Sequence, residues 1–104
     1  TILDGLLKSM QIFQDNIDVR AGGDQELKSK HFARALTIIY ALQSSLDFEK
    51  GEPVATNLLQ LYEFARQQMI ADLGKGIAEG TPKAKDALSE IRDAWQAIGA
   101  EVKK

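Results

Sequence analysis

The 104-residue chain has no cysteine. Disulfides and thiolate metal sites are therefore excluded, and a reducing compartment such as the cytoplasm suits it. There is one histidine, His31. A di-metal bundle needs Glu-x-x-His pairs on facing helices, and here Lys28 stands three residues before the lone histidine, so no metal centre is expected. No block of lysine and arginine stands out, and the formal net charge is -2. Nucleic acid is not an expected partner. No apolar run approaches the roughly 18 residues of a bilayer-spanning helix. Nor does a charged region followed by a continuous apolar one open the chain, so neither a membrane partner nor a signal peptide is expected.

Catalytic signatures are equally scarce. Gly74-Lys75-Gly76 has the look of a phosphate loop, but Lys75 is followed by glycine rather than Ser or Thr, and a helical segment precedes it. No pair of carboxylates stands with a His, Ser or Lys at a catalytic spacing, and His31 has no nucleophile motif beside it. The residues predict no enzyme, no catalytic residue and no cofactor. His31 reads as a structural residue and Trp95 as core packing.

What remains is helical periodicity. Hydrophobic residues make up 44% and charged residues 27%, which suits a single ordered domain over residues 1–104. Leu3, Leu6, Met10, Phe13 and Ile17 recur at steps of three and four, predicting a first helix from Thr1 to Val19 that stops at Gly22-Gly23. Asp24 suits the N-cap of a second helix running to Asp47, with Glu26 in its first turn. Its inner face reads Leu27, Phe32, Ala35, Ile39, Leu42 and Leu46. Gly51 suits a C-cap, and Pro53 suits the first turn of a third helix running to Leu73. Val54, Leu58, Leu61, Tyr62, Ala65, Met69 and Leu73 form its main stripe. Thr81 as cap and Pro82 at the first position start a fourth helix, which runs to Val102. Ala84, Ala87, Leu88, Ile91, Ala94, Trp95 and Ile98 share one side of it. Four amphipathic helices on short links predict an all-α, antiparallel up-down four-helix bundle.

The second helix carries more apolar surface than one bundle core needs. Leu36, Ile38, Tyr40 and Leu42 cannot all face one centre. An exposed apolar strip between long helices is a receptor for an amphipathic helix, whereas residues preceding Thr1 would cover the same strip equally well.

Three stretches resemble the flagellar secretion chaperones of the FliS family. Leu3-Asp4-Gly5-Leu6 is similar to the Asp-Gly motif of that family's first helix, with Leu3 where tyrosine is usual. Ser45-Leu46-Asp47 through Gly51, then Asn57-Leu58 and Leu61-Tyr62, resembles its signature between helices two and three. Ile91-Arg92-Asp93-Ala94-Trp95 resembles its closing motif. The resemblance implies a cytoplasmic chaperone without enzymatic activity. Its client would be the C-terminal helical segment of flagellin, disordered in the monomer, which the chaperone shields from premature polymerisation. Other flagellar export or regulatory proteins are further expected partners. A segment preceding Thr1, bearing the family's N-terminal tyrosines, is also expected. By position, the expected client-facing residues are Ile38, Leu42, Asn57, Leu58, Leu61, Tyr62, Ala65 and Met69, between helices two and three. Leu58, Leu61 and Ala65 serve equally well as core. A general helical adaptor, binding another secretion-system or regulatory protein through an apolar groove, is the alternative of a different class.

Overall fold

The computed structural model describes the backbone of residues 2–46 and 54–102, with side chains described at 2–46 and 55–94. The described residues form four α-helices and no strand: α1 (Ile2–Asp15), α2 (Gln25–Ser44), α3 (Val54–Lys75) and α4 (Thr81–Val102). A short 3-10 turn, Val19–Ala21, lies between α1 and α2. The expected link Asp47–Glu52, its Gly51 cap and Pro53 lie outside the described residues, as do the side chains of Val54, Trp95 and Ile98.

Each helix packs mainly on two neighbours, in the order α1, α2, α3, α4 and back to α1. Paired residues give the directions. Gly5 lies beside Ile38, Ser9 beside His31, and the Phe13 and Phe32 rings sit 5.4 Å apart, so α1 and α2 run oppositely. Gln11 meets Lys85 and Asp4 meets Arg92, which sets α1 against α4 in the same antiparallel sense. The bundle is the one the periodicity predicts.

The α1 stripe is buried as expected: Leu3, Leu6, Met10, Phe13 and Ile17 all join the core. Ala35, Ile39 and Leu42 of α2, and Leu58, Tyr62, Ala65 and Met69 of α3, face them, with Ala84 and Leu88 from α4. Each large side chain removed from water contributes about 1.5–3 kcal/mol, and ordering the chain offsets most of the total. Leu27 departs from the expected inner face and is exposed. It stands twelve residues before Ile39, which at 3.6 residues per turn rotates it by about 120° off the core direction.

α1 ends at Asp15, earlier than the expected Val19. The cause is Asn16. Its side-chain amide donates to the Ile12 carbonyl at 2.9 Å, and its oxygen accepts the Asp24 N–H at 3.0 Å. One side chain thus closes α1 and ties the corner to the start of α2. Gly23 is needed there, because a Cβ would lie 2.4 Å from the Asn16 carbonyl oxygen. Gly22 adopts φ 108°, a left-handed conformation that favours glycine. Asp24 caps α2 as expected, accepting from the Glu26 and Leu27 N–H groups.

The α3–α4 corner differs from expectation by one residue. The Gly80 carbonyl accepts the Ala84 N–H, so Gly80 is the cap and Thr81 the first helical residue. The side chain that serves this helix start is Asp72 of α3. Its carboxylate accepts from the backbone N–H groups of Glu79 (3.0 Å), Gly80 (3.0 Å) and Thr81 (2.7 Å). Asp72 is buried. Burial pushes its carboxyl up, and the hydrogen bonds from Thr81, Gly80 and Glu79 outweigh this, leaving it below the usual carboxylate range.

Candidate partner-binding surface

The flanks of α3 follow from two contacts. Gln68 lies against Gly80, so its flank faces α4. Residues 4, 7 and 11 before Gln68 are Phe64, Leu61 and Asn57, which share that flank at helical spacing. Gln43 of α2 donates to Glu63, so the Glu63 flank faces α2. Between the two flanks, the inward stripe is Leu58, Tyr62, Ala65, Met69 and Asp72.

The two flanks differ chemically. The α2-facing one is a polar clasp. Arg66 pairs with Glu63, and Gln43 and Gln67 also donate to the Glu63 carboxylate. The Arg66 hydrogen bond is the main cause that holds Glu63 down to about 2, against a smaller upward push from burial. Tyr40 is exposed on α2 at 51% and acts on Arg66. The α4-facing flank is uncharged and sets Leu61 and Phe64 between two amides, Asn57 and Gln68. Phe64 is 40% exposed, Leu61 is half-buried and Asn57 is exposed. Along α4, residues 7, 11 and 14 after Gly80 are Ala87, Ile91 and Ala94, whose sides are half-buried, half-buried and exposed. Phe64 is the large exposed apolar side chain on this side of α3.

The expected site residues do not meet at one open groove between α2 and α3. Tyr62, Ala65 and Met69 are 0–1% exposed, and Leu42 and Leu58 are also buried, all within one core cluster. Ile38 is half-buried and turns toward α1, beside Gly5. Only Asn57 and Leu61 reach the surface together, and they do so on the α4 side. Phe64 was missed by the sequence reading, although its spacing from Asn57 and Leu61 was a signal for it.

Polar pairs elsewhere join α1 to its neighbours. Arg92 bonds Asp4 at 3.2 Å across α1 and α4, joining residues of the first and last signature stretches. His31 lies 3.4 Å from the Ser9 hydroxyl. Burial, then Lys30, Arg34 and Lys8, lower its basicity. No group of three His, Asp or Glu residues suited to a metal occurs among the described residues. No described helix is long and apolar enough to cross a membrane. One cleft of about 340 Å³ lies between α1 and α4 and mixes Lys8, Lys85 and Arg92 with Asp4 and Asp86.

Sequence comparison decides the family. The profile described as "Flagellar protein FliS" matches residues 1–102. The chain belongs to the FliS family. It is 32% identical over 77 residues to the flagellar secretion chaperone FliS of Salmonella typhimurium, covering 73% of this chain and 57% of that protein. It is 33% identical over 79 residues to the flagellar secretion chaperone FliS of Vibrio cholerae, covering 76% of this chain and 58% of that one. The chain thus spans somewhat under three-fifths of the length of these FliS relatives.

Proposed function

We propose that this chain acts as a cytoplasmic, non-enzymatic export chaperone that holds the disordered C-terminal helical segment of flagellin. Family membership supports the chaperone role. The observation that supports the binding mode is the exposed Phe64 on the α4-facing side of α3, at helical spacing from the half-buried Leu61.

Such a flank suits an amphipathic segment that folds as it binds. The client lays its apolar face over Phe64 and Leu61, and Asn57 hydrogen-bonds its backbone where it leaves the helix. Leu42, Leu58, Tyr62, Ala65 and Met69 form the packed floor that keeps the flank flat and rigid. Ile38, beside α1, marks a second contact where the client wraps past α2. Masking the client's apolar face stops it from assembling with its own kind, and ordering a flexible segment spends part of the interaction energy. This keeps release for export possible.

Calorimetric titration with a flagellin C-terminal peptide tests this reading. The expected result is saturable binding with a negative heat-capacity change and a gain of helicity by circular dichroism. No heat at tens of micromolar peptide, on the scale of a weak complex, returns the chain to the general adaptor reading.

A further inference from the structure

A second cleft, of about 480 Å³, lies at the end of the bundle where both the α1–α2 and α3–α4 corners sit. Arg20, Lys28 and Lys75 line it. The one lining carboxylate, Asp18, accepts the Ala21 N–H at one oxygen, so the cleft sets three cations against a single anion. Lys75 pairs with Glu79 at 3.1 Å in an exposed contact, which water and salt weaken. Lys28 is the unusual member. It is only 8% exposed, and its ammonium donates to the Ile17 carbonyl at 2.7 Å. An ammonium has three donors, and a buried charge calls for an opposite one. Around these cations stand Val19, Leu73 and Ile77, all large, apolar and exposed.

This chemistry selects its occupant. A bare phosphate uses the cations and leaves the apolar rim in water. An uncharged apolar peptide covers the rim and leaves the ammonium unpaired. A carboxylate at the end of an apolar chain satisfies both. The cleft is lined by the α1–α2 corner and the end of α3, and only Lys75, seven residues beyond Gln68 at helical spacing, shares the α4-facing side of α3 with the flank described above. From Asn57 to Lys75 that face is about 27 Å long at 1.5 Å per residue.

We propose that the cleft receives the terminal carboxylate of the client, with the client's last apolar side chains against Val19, Leu73 and Ile77. The inference rests on the reading that the client is a C-terminal segment. It adds a direction and a register: the client's helix lies parallel to α3, its chain end at Lys75. Capture of a chain-terminal carboxylate is a recurring way for proteins to read peptides.

The test uses two flagellin C-terminal peptides that differ only in ending as a free acid or an amide. Each is titrated at low salt into the unaltered chain and into the Arg20→Gln/Lys75→Gln double variant, whose substituted positions are both exposed. The free acid is expected to bind about tenfold tighter than the amide, and the preference to fall below twofold in the double variant. Equal affinity of the two peptides for the unaltered chain overturns the cleft assignment and leaves the client reading standing. An acid preference that persists undiminished in the double variant also overturns it, because the carboxylate is then held elsewhere. Failure of both peptides to bind overturns the client reading and the cleft with it.

Discussion

The inward stripe of α3 and its α4-facing flank lie side by side on one helix and differ in burial. Leu58, Tyr62, Ala65 and Met69 face the core and end in the buried carboxylate of Asp72. Asn57, Leu61 and Phe64 reach the surface and end near the cationic cleft at Lys75. A shift of one or two positions along the chain moves a residue from the packed core to the surface. Similar hydrophobicity therefore says little about role, and the phase around the helix decides it.

The largest effect should come from the inward stripe. Tyr62→Ala removes a fully buried ring and should cost about 3–5 kcal/mol, read as a lowered denaturation midpoint. A loss of binding without a loss of stability would break the contrast between the faces. Asp72→Ala should cost about 2–3 kcal/mol, because it strips an acceptor from several buried N–H groups at once. Asp72→Asn keeps one acceptor oxygen and should cost about 1 kcal/mol.

Acid sharpens the same point. The folded carboxyl of Asp72 sits below its ordinary value of 3.8. Its contribution is therefore fully present above that value and is lost as pH falls through the folded value. Melting temperatures of the unaltered chain and Asp72→Asn should differ most near neutrality and converge as pH drops below 3.8. A gap that is constant with pH would contradict the ionised-acceptor account.

On the flank, Phe64→Asp should cost about 1 kcal/mol of stability, because its ring is part-buried, and weaken client binding about tenfold, or roughly 1.4 kcal/mol. The smallest effect belongs to the other side of α3. Glu63→Gln breaks the part-buried pairing with Arg66 and should lower the melting temperature only slightly.

The helices and most of the core were legible in the sequence, since burial follows local spacing that one chain displays by itself. The contrast between the two corners marks the limit. Asp24 caps α2 from two and three residues away, and a reader of the sequence finds it. Asp72 serves the start of α4 from seven to nine residues away and from another helix, and no local rule points to it. Asn16 likewise ties the α1 end to the start of α2 by a bond to a residue eight positions on. The site was less legible still. Apolar periodicity locates a stripe but does not say which neighbouring helix covers its edge. Ile38 was therefore expected at α3 and lies at α1, while Phe64 went unremarked.

The claim that the client lies on the α3–α4 flank can be tested by placing a photo-crosslinking side chain at position 64 or at position 40. Each variant is illuminated with flagellin, and the adducts are mapped by mass spectrometry. The account predicts adducts to the flagellin C-terminal segment from position 64 and few or none from position 40. Adducts from position 40 with none from position 64 would put the client on the α2–α3 flank and contradict it.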